Sequence, residues 1–178
     1  MKTLVIYTSQ TGFTKRYAQW IAERMNADIF DVKDVQKKDN SFFAEYEAIV
    51  YAGWCMAGKV AKANWYLEKA KEWKGKKLAV VAVGAAPNDF EQTEIALNNI
   101  LTDEQKTYIK AFYCQGGLNY EKMNLASKLA MKAFAGSLKK SKDPKQRGMG
   151  EMVDHSYDES DIKFIEPIIA FLQEAVVA

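Results

Sequence analysis

A short stretch near the start of the chain decides the fold: residues 3–14 read TLVIYTSQTGFT. The run Thr3–Tyr7 is rich in β-branched and aromatic residues, which is typical of a buried strand. A turn rich in hydroxyl groups follows, and Thr14–Met25 then shows the apolar spacing of a helix. A strand that leads through a turn into a helix indicates the beginning of an α/β fold.

The turn itself suits a phosphate group. Gly12 permits a positive φ or a close approach of the backbone, and the N–H groups at a helix N-terminus bind anions. The sequence therefore predicts phosphate binding beyond the first strand. An ordinary turn with Thr14 as the helix N-cap fits the same residues. The turn matches neither GxxxxGK[ST] nor GxGxxG, so it indicates neither a P-loop nor a dinucleotide site of that kind.

Strand and helix patterns alternate along the rest of the chain. Further strands are predicted at Ala27–Val32, Glu47–Gly53, Lys77–Gly84 and Ile109–Gln115, with helices at Lys62–Trp73 and Gln92–Leu101. This alternation favours a parallel sheet with helices on both faces, joined by right-handed crossovers into a three-layer sandwich. No linker or repeat divides the sequence, so residues 1–178 are predicted to form a single domain.

The segment after the fifth strand departs from this rhythm. We predict an insert over about residues 119–150, made of a helix at Tyr120–Leu138 and a loop at Lys139–Gly150. The last helix covers roughly Asp161–Val176 and contains Pro167. Because proline is accommodated only in a first turn, that helix either starts near Ile165 or begins earlier and kinks at Pro167.

The charges are unevenly distributed, although the net charge is only +2. Residues 119–150 hold eight Lys or Arg residues and two acids, whereas residues 151–178 hold seven acids and one lysine. The two segments either match each other within the molecule or form a docking surface. The small net charge and the absence of a recognised motif predict no nucleic-acid partner.

The sequence predicts a cytoplasmic protein. No apolar run reaches the roughly 20 residues of a membrane helix, and the N-terminus is typical of a strand rather than of a signal peptide. Cys55 and Cys114 are far apart in sequence, which favours a reducing compartment. We interpret Cys55 as a packing residue and Cys114 as a core residue. His155, the only histidine, is predicted to lie in a surface loop and indicates no metal site.

The turn after the first strand fits the pattern [ST]-x-T-G-x-[ST] and thereby resembles the phosphate loop of the flavodoxin family. The resemblance implies a flavodoxin-like sandwich with strand order 2-1-3-4-5 and noncovalent FMN as the cofactor. The phosphate would be bound by Ser9, Gln10, Thr11, Gly12, Phe13 and Thr14.

The resemblance also implies where the flavin ring lies. One wall would come from the loop after the third strand and the other from the loop after the fourth, with glycines after the fifth strand nearby. The residues concerned are Trp54, Cys55, Met56, Ala57 and Gly58, then Gly84, Ala85 and Ala86, then Gly116 and Gly117. Trp54 would stack on or border the ring. The peptide that hydrogen-bonds flavin N5 would come from Gly58 or Ala57, with Gly53 as a second candidate.

Within that family the chain is most similar to the menaquinone-dependent protoporphyrinogen dehydrogenases. The similarity rests on the segment Gly116–Tyr120, which reads GGLNY and is followed by a helix rich in Met and Lys. Two functions follow. The protein is either an electron-transfer flavoprotein that serves a redox partner protein, or an FMN-dependent oxidoreductase acting on a small acceptor such as a quinone or porphyrin. Neither requires a catalytic acid or base from the protein.

The insert has two interpretations. It is either an amphipathic helix packed on the domain with a solvated basic end, or an adaptable surface for a redox partner, an anionic porphyrin or an anionic membrane. The residues of such a surface are Met123, Met131, Met149, Met152, Lys128, Lys132, Lys139, Lys140, Lys142, Lys145 and Arg147. The sequence gives no indication of the oligomeric state.

Overall fold

The computed structural model describes residues 1–56 and 58–174, apart from the side chain of Gln92. Its helices and strands follow in the order β1 (Thr3–Thr8), α1 (Phe13–Met25), β2 (Asp28–Asp31), α2 (Val32–Val35), α3 (Asn40–Ala44), β3 (Ala48–Met56), β4 (Lys59–Val60), α4 (Ala63–Ala70), β5 (Lys77–Gly84), α5 (Glu91–Asn98), α6 (Asp103–Lys106), β6 (Ile109–Gln115), β7 (Gly117–Leu118), α7 (Leu125–Lys139), α8 (Pro144–Met152), β8 (Tyr157–Asp158) and α9 (Glu166–Gln173). Short 3₁₀ helices cover Lys71–Trp73 and Ile162–Ile165.

The main sheet has the strand order β2-β1-β3-β5-β6, and all of these strands run parallel. This order confirms the predicted flavodoxin-like topology. Three short strands were not predicted. Of these, β4 pairs antiparallel with the end of β3. A separate antiparallel pair, β7 with β8, joins the end of β6 to the segment before α9.

The central strands are buried because successive side chains point alternately into two apolar layers. In one layer Val5, Val50 and Val81 pack against α1 and α9. In the other, Leu4 and Ile49 pack against α3 and α4. The sheet thus lies between two layers of helices, and its carboxyl edge is the place where the loops after β1, β3, β5 and β6 meet.

The predicted loop at Lys139–Gly150 is wrong, because α8 occupies most of it. The side chain of Asp143 accepts a hydrogen bond from the N–H of Lys145 at 2.9 Å, and Pro144 suits the first helical turn. A Cβ on Gly150 would lie 2.7 Å from the backbone of α7, so the missing side chain allows the two helices to cross closely. Glycine lowers helix propensity, which concealed this helix in the sequence.

The predicted start of the insert helix at Tyr120 is also wrong, because α7 begins at Leu125. Asn124 ends the preceding turn, and its side chain accepts a hydrogen bond from the N–H of Ser127 at 2.8 Å. In the last helix, Pro167 stands in the first turn of α9, which agrees with a start near Ile165 and not with a kink. The predicted end at Val176 lies outside the described residues.

In the part of the chain that the structure describes, none of the helices combines the length and the apolar character needed to cross a membrane.

Candidate functional site

The turn between β1 and α1 exposes the N-terminus of the helix. Gly12 adopts φ +105° and occupies the N-cap position, where it has no side chain to offer. Its own N–H donates to Ser9 Oγ at 3.2 Å, and its carbonyl accepts the first helical hydrogen bond, from Arg16, at 3.0 Å. No side chain in the described part of the chain caps α1, so its first N–H groups remain free to bind an anion.

The charges near this helix end also favour an anion. The first turn of α1 contains no acidic residue, and the helix dipole is positive at this end. Ser9, Gln10 and Thr11 are half-buried and Gly12 is exposed, whereas Phe13 and Thr14 are buried. The Phe13 side chain belongs to the core, so only its backbone is available at the surface of the turn.

The predicted loop after the third strand is in large part a β-hairpin. Strand β3 continues through Trp54 and Cys55 to Met56, because β4 supplies an antiparallel partner. The N–H of Ala61 donates to the carbonyl of Trp54 at 2.9 Å and closes the base of the hairpin. Trp54 and Cys55 are half-buried and Met56 is exposed at this carboxyl edge of the sheet. Ala57 lies outside the described residues.

The two described glycines of the hairpin differ in their freedom. Gly53 lies within β3, where a Cβ would come within 2.5 Å of Val60 and 3.0 Å of the Ala61 carbonyl. It is therefore fixed by packing. Gly58 lies at the hairpin tip with φ +75° and has only Ala96 near it, at 3.8 Å from an added Cβ. Of the two, Gly58 has the space to change conformation.

The cysteines lie in environments that keep their thiols protonated. Burial raises the pKa of the Cys55 thiol, and a hydrogen bond from the Gly58 N–H offsets part of this effect. Cys114 is buried in the core, as predicted, and burial raises its pKa far above the ordinary value. A reactive cysteine needs a lowered pKa, so these surroundings suit the interpretation of Cys55 as a packing residue.

The loop after β5 is held by its carbonyl groups. The carbonyl of Gly84 accepts from the Gly116 N–H at 2.7 Å, that of Ala85 from the Tyr157 hydroxyl at 2.9 Å, and that of Ala86 from the Tyr113 hydroxyl at 2.8 Å. Burial raises the pKa of Tyr157 to about 12 and that of Tyr113 further, so both remain donors at neutral pH.

The N–H groups of the same loop, unlike its carbonyl groups, are largely without hydrogen-bond partners in the described part of the chain. In the part of the chain that the structure describes, those of Ala85 and Ala86 donate no hydrogen bond. Asn88 and Gln115 fix the far end of the loop: the Gln115 N–H donates to Asn88 Oδ1 at 2.7 Å, and the Asn88 N–H to Gln115 Oε1 at 3.4 Å. The loop therefore presents donors, and not acceptors, to a ligand.

Gly116 and Gly117 have packing roles that the sequence did not reveal. A Cβ on Gly116 would lie 3.1 Å from Phe13 Cβ, so this glycine lets the turn after β1 approach the end of β6. A Cβ on Gly117 would overlap the carbonyl of Tyr157 on the paired strand β8. Whatever either glycine contributes to a ligand, Gly117 is required by the pairing of β7 with β8.

Sequence reasoning missed the role of residues 158–161, which comprise the end of β8 and the residues that follow it. Asp158 Oδ2 accepts from Arg16 Nη1 at 2.6 Å, next to the turn after β1. The Tyr17 hydroxyl donates to the carbonyl of Gln115 and accepts from the Asp161 N–H at 3.1 Å. Burial raises the pKa of Tyr17 to about 12. These bonds join α1 and β6 to the acid-rich residues 151–178. The charge pattern in the sequence had indicated only a match between those residues and the basic residues 119–150.

The insert forms a small apolar cluster of its own. Leu118, Tyr120, Ala135 and Val153 are buried in it, and Ala85 from the loop after β5 packs against it. Asp154 binds Lys132 at 2.9 Å and Lys139 at 2.5 Å, and these hydrogen bonds lower its pKa to about 2. An acid from the acid-rich residues 151–178 thus pairs with two lysines from the basic residues 119–150.

His155 is exposed, as predicted. Among the described residues no group of three or more His, Cys, Asp or Glu side chains is arranged to bind a metal ion.

The fold and the edge described above define a parallel α/β protein in which the N-terminus of the helix after the first strand is open. Residues 4–145 match the profile of the family described as Flavodoxin domain. Because this match covers most of the chain, the protein belongs to the flavodoxin domain family.

Solved flavodoxin and flavoprotein structures are among those to which this chain is similar. The flavodoxin of Streptococcus pneumoniae TIGR4 is 15% identical, with a TM-score of 0.49 over 97% of each chain. The two-electron reduced Megasphaera elsdenii flavodoxin is 12% identical, with a TM-score of 0.43 over 85% of this chain and 98% of that one. A flavoprotein from Lactobacillus acidophilus NCFM, in complex with FMN, is 17% identical, with a TM-score of 0.42 over 64% of this chain and 91% of that one. Among curated proteins no sequence matches the chain.

Proposed function

We propose that this protein binds FMN noncovalently at the carboxyl edge of its sheet and transfers electrons between redox partners. The observation that carries the proposal is the open N-terminus of α1, which combines free N–H groups, Gly12 as the N-cap and no acid in the first turn. Such a helix end suits the dianionic phosphate of FMN. Membership of the flavodoxin domain family supports the same cofactor.

In this proposal the turn after β1 holds the phosphate. Ser9 and Thr11 contribute half-buried hydroxyl groups, and Gln10, Phe13 and Thr14 contribute backbone N–H groups. The N–H of Gly12 donates to Ser9 Oγ and so positions that hydroxyl group beside the phosphate. Gly12 is exposed, and a Cβ there would meet no atom within 4 Å, so the space beside the helix end is open to a ligand. Arg16 adds a positive charge, although Asp158 balances it.

The ring of the flavin would lie between the β3–β4 hairpin and the loop after β5. Trp54 would border the ring, with Cys55, Met56, Ala57 and Gly58 along the same side. The free N–H groups of Ala85 and Ala86 match the carbonyl oxygens of a flavin, because the carbonyls of this loop are already engaged. Gly84, Gly116 and Gly117 would shape the site through the packing described above.

When bound, FMN supplies the redox chemistry, and the protein binds it, orients it and sets its environment. Because Tyr113 and Tyr157 keep their protons, they fix the loop after β5 without taking part in proton transfer at neutral pH. We place the protein in the reducing cytoplasm, where Cys55 and Cys114 remain thiols, and a redox protein would be its partner.

The insert favours a second candidate function, that of an FMN-dependent oxidoreductase acting on a quinone or a porphyrin. Its cluster contacts the loop after β5 through Ala85, and Tyr157 binds the carbonyl of that residue at 2.9 Å. An element attached to a flavin wall would add a surface for a small acceptor, which suits a function of the protoporphyrinogen dehydrogenase or quinone reductase type. We propose that residues 1–178, including this insert, form one domain.

The proposal is tested first by the colour of the purified protein. We expect a yellow protein that releases FMN on heating, or an apoprotein that takes up added FMN. A colourless protein that fails to take up FMN would contradict the proposal.

The two functions are then separated by anaerobic redox assays of the photoreduced and the oxidised protein. Rapid reoxidation of the reduced protein by menadione, or rapid anaerobic reduction of the oxidised protein by a porphyrinogen, would support an enzyme. A reduced protein that persists with menadione and discharges to a reconstituted redox protein would support electron transfer.

A further inference from the structure

The outward face of α7 is apolar. Leu125, Leu129 and Phe134 expose 72%, 62% and 49% of their surface, and Ala126, Ala130 and Ala133 are exposed beside them. At 3.6 residues per turn these positions fall within roughly half of the helix circumference. Soluble proteins seldom expose a contiguous patch of this kind unless it makes a contact.

The opposite face of α7 is packed against the insert, and this orientation leaves the apolar outer face exposed to solvent. Ala135 is buried, and Met131 and Leu138 pack with it into the cluster of the insert. Gly150 brings α8 close to this inner face. The helix is therefore held on one side only, and within the described residues its outer face is not covered.

The charges around this face select an anionic partner. Helix α7 contains three lysines and no acid, and the following residues 140–147 add four Lys or Arg residues and one acid, Asp143. Asp154 pairs with both Lys132 and Lys139 and offsets one of their two positive charges. Lys128, Lys140, Lys142, Lys145 and Arg147 are exposed, and none of them forms a salt bridge in the described part of the chain.

A second copy of the chain would not suit this surface. Two α7 faces packed together would bring two sets of lysines into proximity without an acid on either helix, and like charges at an interface oppose association. A lipid bilayer offers the matching combination, since acyl chains accept Leu and Phe while acidic headgroups attract lysine.

We propose that α7 lies in the surface of a membrane that contains anionic lipids, with Leu125, Leu129 and Phe134 inserted at the boundary between headgroups and acyl chains. The helix has 15 residues, too few to span a bilayer of about 30 Å, so it would lie in the membrane plane. The proposal does not depend on FMN, because neither the apolar face nor the lysines belong to the proposed cofactor site.

The test is flotation of the full chain with lipid vesicles. We expect binding to vesicles of phosphatidylcholine with about 30% phosphatidylglycerol, little binding to phosphatidylcholine alone, and release in about 0.5 M NaCl. The double variant Leu125→Ser, Leu129→Ser is expected to bind at least about tenfold more weakly. Both side chains are exposed, so the variant should keep the far-ultraviolet circular dichroism and the urea midpoint of the wild type.

Two matched controls isolate the surface. The double variant Ile95→Ser, Ile162→Ser removes two apolar side chains that are 54% and 46% exposed on other elements, and should bind vesicles like the wild type. Lys140→Gln with Lys142→Gln should weaken binding, whereas Lys33→Gln with Lys37→Gln, a pair remote in sequence and also exposed, should not.

Three results would overturn the proposal. The first is a wild-type protein that does not float with anionic vesicles, whether or not FMN is present. The second is equal binding by the wild type and the Leu125→Ser, Leu129→Ser variant. The third is a stable dimer that this variant converts to a monomer, which would make α7 an interface between copies.

Discussion

Replacement of Thr11 by glutamate is expected to weaken FMN binding by about a hundredfold or more. Thr11 is half-buried in the turn before α1, where the proposed phosphate site lies. Two unit charges about 5 Å apart repel by about 3 kcal/mol at an effective dielectric constant near 20, and each 1.4 kcal/mol changes a dissociation constant by about tenfold. Fluorescence titration of the apoprotein with FMN measures the change.

Two variants control this result. Thr11→Val removes the hydroxyl without adding charge and should weaken binding by only about tenfold, as for the loss of one hydrogen bond to a charged group. Thr107→Glu adds the same charge at an exposed position at the end of α6 and should leave the affinity unchanged. Wild-type affinity in Thr11→Glu, with an unchanged urea midpoint, would place the phosphate elsewhere.

Truncation of Phe43 to alanine is expected to lower the free energy of unfolding by about 3–5 kcal/mol. Phe43 is fully buried in the layer between the sheet and helices α3 and α4. Its ring centroid lies 4.8 Å from that of Trp73, 5.1 Å from that of Phe42 and 6.2 Å from that of Trp65. The substitution leaves a cavity within this aromatic group, which urea denaturation will detect.

Phe134 provides the matched control for that experiment. It is the same residue type, 49% exposed on α7, and Phe134→Ala should change the free energy of unfolding by no more than about 0.5 kcal/mol. Equal losses from both variants would show that the outer face of α7 is packed in solution, contrary to the insert described above.

Two neighbouring strands of the main sheet, β5 and β6, could be predicted from the sequence with their bounds. Lys77–Gly84 and Ile109–Gln115 were predicted with the observed bounds, because each contains a short apolar stretch, residues 78–83 and 111–114, of the length typical of a strand. The alternation of these strands with helices indicated a parallel sheet with right-handed crossovers, whereas the strand order followed only from the resemblance of the turn after the first strand to the flavodoxin phosphate loop.

Elements that depend on distant partners could not be predicted. The extension of β3 through Met56 requires the two residues of β4, which show no strand pattern of their own. Helix α8 requires the close contact of Gly150 with α7, and its glycines disfavour a helix locally. Both elements exist because tertiary contacts override a weak local preference.

Only the contiguous part of the candidate site, the turn before α1, could be predicted from the sequence. A turn at a helix N-terminus is contiguous in sequence, so residues 9–14 could be recognised together. The carbonyl anchors of the loop after β5 come from Tyr113, Gly116 and Tyr157, and Tyr157 is 72 residues away from its partner Ala85. Such long-range partners leave no periodic signal in a single sequence.

The most direct test of the account is a comparison of FMN with riboflavin, which has the same ring and no phosphate. If the N-terminus of α1 binds the phosphate, its charge-assisted hydrogen bonds, at about 1.5–3 kcal/mol each, make FMN bind at least about a hundredfold more tightly than riboflavin. Equilibrium titration of the apoprotein with each compound, under the same conditions, gives the two dissociation constants. Equal affinities, or no binding of either compound, would contradict the account.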